Sequence, residues 1–287
     1  RPEPRKAEGR LSPELAEALA SPVPISGLAL TAAAAPFRGA APDASVLVAL
    51  EIGRGLSFIE REGVFLNDLE VSIAAFDHAG KLRAGGPTTV ELKLQPRTHA
   101  AVVDRGMRLL SRLKLPPGRY QLRIGAREKT GGRVGTLFYD LEVPDFSQAP
   151  LSMSGLALVS KSASLVPTAR PDPELKDLLP GPPTAIREFP PDDTLAVYAE
   201  VYEAKASVPH RVEITASVLA EGGRAVFNAS EERSSDELRG SAGGYGYRTE
   251  IPLRGLAPGL YVLRVEARSR LEGVAPVARE TLFRIRG

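Results

Sequence analysis

One stretch of the sequence occurs twice. The first copy runs from Leu115 to Arg127 as LPPGRYQLRIGAR, and the second runs from Leu256 to Arg268 as LAPGLYVLRVEAR, 141 residues later. The Pro-Gly pair in each copy is typical of a tight turn, because Pro presets φ and Gly supplies a positive φ. The chain is therefore expected to build the same turn, and the element after it, twice.

The residues after each turn alternate between apolar and polar. In the first copy Tyr120, Leu122, Ile124 and Ala126 share one face, and the other face carries the polar side chains of Arg119, Gln121 and Arg123. This period of two predicts a half-buried strand. A Tyr just after such a turn is typical of the tyrosine corner of immunoglobulin-like sandwiches. We therefore expect Tyr120 and Tyr261 to be buried in equivalent positions, each with its hydroxyl bonded to the backbone. The glycines of the two turns are Gly118 and Gly259.

A second repeat supports a duplication, since Ser-Gly-Leu-Ala-Leu occurs at 26–30 and at 154–158. Alternation between turn residues predicts seven strands in each half. They lie at 26–30, 46–52, 69–75, 90–94, 107–113, 119–126 and 137–143, and at 153–159, 194–202, 211–219, 224–228, 246–253, 260–268 and 279–286. The segment 99–113 also fits a helix. For 107–113 the repeat argues against a helix, because its counterpart contains Pro252, which a helix interior excludes.

The predicted fold class is all-β, with two tandem immunoglobulin-like β-sandwich domains and a short N-terminal helical tail. The predicted boundaries are a tail at 1–23, domains at 24–145 and 151–287, and a linker at 146–150. A Pro-rich insertion occupies 161–191 of the second domain. Such an insertion either carries function or forms a rigid cover over a sheet edge, and we favour the cover.

The tail contains one helix signal. Ser12 is a good N-cap and Pro13 suits the first helical position, which predicts a helix over about 13–20. Leu11, Leu15 and Leu19 form its apolar stripe, which is too short to be stable alone. The stripe must dock on a sandwich of its own chain or of a neighbouring chain. Our hypothesis at this point is docking between chains, which would make these leucines an interaction site for self-association.

Composition restricts the partners. With 37 Lys and Arg against 35 Asp and Glu, the net charge is +2, and nothing favours nucleic acid. The chain has no cysteine, which excludes disulfides and thiolate chemistry. No apolar run approaches the roughly 20 residues of a membrane helix. Because residue 1 is Arg, we expect a processed or trimmed piece of a longer product.

No motif predicts chemistry. His78, His99 and His210 lack metal-ligand spacing, and the Asp192-Asp193 pair is more typical of a solvated turn than of a calcium site. Asn228 begins a glycosylation sequon, which matters only in a host that uses it. We therefore predict no catalytic residue, cofactor or metal, and no enzyme.

Three segments suggest a family. The residues at 115–123, 138–146 and 151–156 resemble the region downstream of the von Willebrand factor A-like domain in bacterial VWFA-related proteins. The resemblance implies a secreted or cell-surface location. The metal site of the A-like domain has the pattern D-x-S-x-S, and the nearest string here, from Asp43 to Leu47, lacks the last Ser.

Two hypotheses of function follow. The first is a non-enzymatic structural or adhesive module of an exported protein, with protein partners and a possible place in a larger assembly. The second is an accessory module that binds carbohydrate or peptide through sandwich loops. An exposed aromatic platform would favour the second, but the chain has no Trp and only 16 Phe and Tyr in total. The first is therefore preferred on sequence.

Overall fold

Alternating apolar residues form the strands of two sandwiches in the computed structural model, which describes residues 11–203, 208–237 and 244–287. The elements of the first half are α1 (Pro13–Ala20), β1 (Leu30–Arg38), β2 (Ala44–Ile52), β3 (Ile59–Arg61), β4 (Val64–Asp77), β5 (Leu82–Leu94), α2 (Pro96–Arg105), β6 (Met107–Leu115), β7 (Gly118–Glu128) and β8 (Val134–Val143). Those of the second half are β9 (Leu151–Met153), β10 (Ala157–Ser160), β11 (Glu188–Phe189), β12 (Thr194–Glu203), β13 (Arg211–Leu219), β14 (Ala225–Ser234), β15 (Gly244–Pro252), β16 (Gly259–Ser269) and β17 (Val277–Ile285). The all-β prediction is confirmed.

The chain divides into two compact units. Unit 1 contains the described residues up to 33, together with 48–143 and 166–171. Unit 2 contains 34–47, 144–165 and the described residues from 172 onward. The predicted boundaries differ from this division, because they assign 34–47 to the first domain and 166–171 to the second.

The larger sheets repeat one strand order. In the first half the strand order is β5-β4-β7-β8, and β3 also pairs with β4. In the second half the order is β14-β13-β16-β17, followed by β11. The smaller sheets are β1-β2-β6 and β10-β12-β15, with β9 also on β12. Strands β4, β7 and β8 thus correspond to β13, β16 and β17, as the duplication predicts.

The cross-strand register supports this correspondence. Leu122 lies opposite Ala75 and Tyr139, and Leu263 lies opposite Val218 and Thr281. Both leucines are fully buried. The core of unit 2 joins the inner faces of its two sheets, with Val197 and Ile251 from one and Ile214 and Val265 from the other.

Several sequence predictions need correction. The Ser-Gly-Leu-Ala-Leu repeats are not strands throughout: Ser26 forms one isolated bridge, to Gly135, and 154–156 separate β9 from β10. Strand β1, which contains Pro36, was not predicted, because a run of alanines before Pro carries no alternation. The segment 99–113 is divided between the end of α2 and β6, so the strand predicted at 107–113 is confirmed.

The insertion at 161–191 has little regular structure. Asp172 accepts hydrogen bonds from the N–H groups of Glu174 and Leu175, each at 3.0 Å, but the residues after it form turns and no α-helix. Thr168 pairs with Arg108 of β6, an edge strand, and the N–H of Ala169 bonds to the Arg108 carbonyl at 2.9 Å. At this segment the insertion covers a sheet edge, as expected.

Helix α1 packs on its own chain. The Ser12 hydroxyl accepts from the Leu15 N–H, and Ser12 donates to the Glu70 carboxylate through its own N–H at 2.6 Å and its hydroxyl at 2.5 Å. Leu15 is fully buried, and a Cβ built on Gly125 of β7 would lie 2.9 Å from its Cδ1. The predicted helix bounds are confirmed, and residues 1–10 of the tail lie outside the described residues.

This packing corrects the hypothesis that the leucine stripe docks between chains. Leu15 and Leu19 are buried on the sheet of unit 1, and Leu11 is half-buried. The absence of a side chain at Gly125 is what lets the helix approach the sheet. The stripe therefore has its partner within the chain.

Candidate functional site

The repeated turn and strand form a structural motif in both units. The Tyr120 hydroxyl donates to the Pro116 carbonyl at 2.8 Å, and the Tyr261 hydroxyl donates to the Ala257 carbonyl at 2.7 Å. Both side chains are buried. The glycines differ: φ is 151° at Gly118, whereas Gly259 has no positive φ, so the expectation of a positive φ is wrong there.

The outer face of the unit 1 sheet carries a groove of about 670 Å³. We call it the outer groove. Its polar floor comes from every second residue of β7, namely Arg119, Gln121 and Arg123, the positions that the alternation predicts to point away from the core. Helix α1 covers the next outward position, Gly125. The groove is thus the part of this face that the helix leaves open.

Two phenylalanines flank the guanidinium of Arg123. Its Cζ lies 5.2 Å from the centre of the Phe76 ring and 5.8 Å from that of Phe138, which are cation–π distances. Arg123 Nε also donates to the Gln121 side-chain oxygen at 3.2 Å. Both rings are half-buried. The result is a partly apolar surface with fixed hydrogen-bonding groups beside it.

Four charged side chains of the groove lack ion-pair partners within the described part of the chain. Asp140 and Glu142 of β8 line it opposite Gln121 and Arg119, and all three charged side chains are exposed. Among the described residues, no ion pair involves Arg119, Arg123, Asp140 or Glu142. Apart from Arg123 Nε, which donates to Gln121, their hydrogen-bonding groups are available to a ligand.

The equivalent face of unit 2 is different. Arg264, which corresponds to Arg123, bonds Glu266 at 2.6 Å and Glu280 at 2.5 Å, and Arg268 also bonds Glu266. These arginines form a solvated sheet face on which the charges are paired. Among the described residues, the arginine at this position is therefore ion-paired in unit 2 and has no ion pair in unit 1.

One end of the groove is formed by the turn between β4 and β5. Asp77 accepts from the N–H groups of Ala79 and Lys81 at 2.9 Å each, and from Arg83 Nε at 2.6 Å. The Lys81 N–H and the Arg83 guanidinium hold the pKa of Asp77 below its usual value. His78 lies in the same turn and lines the groove.

The other candidate residues have structural surroundings. His99 stacks on Phe65 with ring centres 3.7 Å apart. His210 lies 2.5 Å from the Glu203 carboxylate, and both side chains are buried. Asp193 accepts from the Thr194 N–H at 2.8 Å and from Ser162, so its carboxylate serves as a local cap.

The described residues contain neither a metal cluster nor a membrane helix. Within 11–203, 208–237 and 244–287, no three His, Asp or Glu side chains come together as metal ligands would. Over the same ranges neither α1 nor α2 has the length and apolarity of a membrane-spanning helix. Asn228 is exposed on β14.

Sequence reasoning missed the outer groove, because it counted the aromatic residues but did not place Phe76 and Phe138 on the outer face. The signal that could have found them is the register of β4 and β8 against β7, which places Phe76 opposite Gln121 and Phe138 opposite Arg123.

No family model and no curated protein matches the sequence. Similar solved structures include a putative β-galactosidase from Bacteroides fragilis, at 12% identity and TM-score 0.29, covering 82% of this chain and 32% of that one. A Bacteroides uniformis β-glucuronidase has 13% identity and TM-score 0.30 over 83% and 26%. Red sea bream transglutaminase has 12% identity and TM-score 0.25 over 92% and 32%.

This chain therefore spans about a third or less of each of those proteins. At such identities and TM-scores the similarities identify no ligand or activity for this chain. The resemblance to VWFA-related proteins stays a prediction.

Proposed function

We propose that this chain is a non-catalytic binding module, and that unit 1 holds a carbohydrate in the outer groove. The observation that carries the proposal is the set of unpaired charges beside Phe76 and Phe138, at positions whose counterparts in unit 2 include the ion-paired Arg264. The groove volume of about 670 Å³ falls within the roughly 300–1,000 Å³ of small-ligand sites.

The mixture of charges favours a neutral polyol. Arg119 and Arg123 can only donate hydrogen bonds, whereas ionised Asp140 and Glu142 can only accept them. A sugar hydroxyl both donates and accepts, so one neutral ligand can satisfy both kinds of group. An anionic or cationic ligand would be repelled by one of the two pairs. The half-buried ring of Phe76 lines the groove and offers an apolar face against which a sugar ring can pack.

An exported location, as the VWFA resemblance implies, suits such a module. Of the two hypotheses drawn from the sequence, this proposal adopts the second and moves its site from the sandwich loops to a sheet face. The structural or adhesive role is less well supported than the binding role, because the leucine stripe that suggested assembly is buried within the chain.

The test is calorimetric titration with a panel of neutral oligosaccharides, namely cello-, xylo-, manno- and malto-hexaose. We expect saturable binding to at least one, weakened about tenfold or more by Arg123→Ala and by Asp140→Ala, since hydrogen bonds to charged groups contribute about 1.5–3 kcal/mol. Arg264→Ala is the matched control, because it removes the same side chain at the equivalent position of unit 2.

Two results would contradict the proposal. One is the absence of binding to every member of the panel. The other is binding that Arg123→Ala and Asp140→Ala leave unchanged. Binding of peptides without any binding of oligosaccharides would instead support the peptide alternative.

A further inference from the structure

A second cavity, of about 270 Å³, lies in unit 1. Strands β5 and β6 and the segment 166–171 contribute its walls, and it shares no lining residue with the outer groove. Its volume is below the roughly 300–1,000 Å³ typical of drug-sized ligands, which limits an occupant to a small molecule or a single group.

The polar lining of this cavity carries one sign of charge. Arg112, Lys114 and Arg170 are its charged residues, and none of its lining residues is acidic. Hydroxyls are provided by Thr88 and Ser111. This contrasts with the outer groove, where both signs occur.

Arg170 is held in place and lacks a counter-ion. Its Nη2 donates to the Thr88 hydroxyl at 2.9 Å, and this is its only polar contact among the described residues. Partial burial lowers the pKa of Arg170, because desolvation disfavours the charged form and no carboxylate compensates. Across the same ranges Lys114 also has no ion-pair partner.

The fold positions Arg170 through its neighbours. Arg108 is fully buried, its Nε donates to Glu51 at 2.6 Å, and its backbone bonds Pro167 and Ala169 at 2.8 and 2.9 Å. The segment is therefore tied to the edge of β6 one residue before Arg170. From there the side chain reaches Thr88 on β5. An arginine side chain that is fixed near its backbone and at its guanidinium has less conformational entropy to lose on binding.

We propose that this cavity binds a small oxyanion of the phosphate, sulfate or carboxylate class, between the Arg170 guanidinium and the Lys114 ammonium. The hydroxyls of Thr88 and Ser111 supply further donors. An oxyanion accepts hydrogen bonds from all of these groups, and the planar guanidinium suits its geometry. The anion also supplies the counter-charge that Arg170 and Lys114 do not receive from the described residues.

The test is calorimetric titration of the whole chain with inorganic phosphate, sulfate and acetate in separate arms, with ionic strength held constant by sodium chloride. We expect saturable one-to-one binding in at least one arm, and the arms identify which oxyanion is preferred. Arg170→Gln should weaken binding tenfold or more, and Lys114→Gln about three- to tenfold. Arg54→Gln is the control, because it removes the same charge from an exposed position of the same unit.

The proposal is overturned if no arm shows saturable binding, or if Arg170→Gln and Arg54→Gln bind equally well. If Arg170→Gln fails to fold, the exposed Lys114→Gln variant decides, and affinity equal to the unmodified chain counts against the site. Arg123→Ala should leave oxyanion binding unchanged, so failure here and failure of the carbohydrate proposal can be told apart.

Discussion

Tyr120 and Tyr261, 141 residues apart, each donate a hydroxyl hydrogen bond to the carbonyl oxygen four residues upstream. The acceptors are Pro116 at 2.8 Å and Ala257 at 2.7 Å. Each bond ties the start of a central strand to the segment that precedes it. The two copies thus share this hydrogen bond as well as their sequence pattern.

Removing either hydroxyl should destabilise the chain. Tyr120→Phe and Tyr261→Phe should each lower the free energy of unfolding by about 0.5–1.5 kcal/mol, the usual net contribution of one hydrogen bond. Urea denaturation measures this. Tyr139→Phe is the control, since its hydroxyl has no partner among the described residues, and its effect should be near zero. Equal effects of all three substitutions would contradict the role of the bonds.

The glycines of the two turns should respond differently to substitution. With φ at 151°, Gly118 is in a region that a side chain disfavours, so Gly118→Ala should cost about 1–3 kcal/mol of unfolding free energy. Gly259 lacks a positive φ, and a Cβ there would approach no atom closer than 3.9 Å. Gly259→Ala should be nearly neutral by the same denaturation measurement. Similar losses of unfolding free energy at Gly118 and Gly259 would show that the difference in φ does not determine the cost of a side chain.

Helix α1 should stabilise the fold without controlling assembly. Leu15 is fully buried, so Leu15→Ala should cost about 2–5 kcal/mol, whereas the half-buried Leu11→Ala should cost less. Deleting residues 1–22 should lower the thermal midpoint and leave the particle mass by light scattering unchanged. A fall in particle mass after the deletion would restore the hypothesis of docking between chains.

The lowered pKa of Asp77 predicts that the protein loses stability in acid. Its pKa is lowered in the folded state from the usual 3.8, so ionised Asp77 contributes stability that is present above that value. The contribution is lost as pH falls through the lower folded pKa. The difference in unfolding free energy between the unmodified chain and Asp77→Asn should therefore shrink from pH 6 to pH 2. If the difference in unfolding free energy stays constant from pH 6 to pH 2, ionised Asp77 does not contribute this stability.

Much of the fold could be predicted from local pattern. Strands such as β12, β13 and β16 alternate clearly, and the repeated Pro-Gly turn is enough to locate the duplication. Prediction failed for β1, where Ala32 to Ala35 have no alternation and tertiary packing decides. It also failed at Gly259, where the same Pro-Gly pair adopts a different backbone from Gly118.

The candidate sites depend on contacts between residues that are distant in the sequence, which a local sequence pattern does not predict. The outer groove requires Phe76, Gln121 and Asp140 to lie side by side on three strands, which only the register fixes. The oxyanion site requires Arg170 to return to β5 from the far side of the predicted linker. Periodicity reports which way a residue points but not which distant residue it meets.

Each unit is completed by a segment from the other side of the predicted linker. Unit 2 includes 34–47, and unit 1 includes 166–171. Cutting the chain at 146–150, whether by a protease or by the choice of an expression boundary, would deprive both fragments of part of their fold. The two halves are duplicated in sequence, yet neither half alone contains all the residues of its unit.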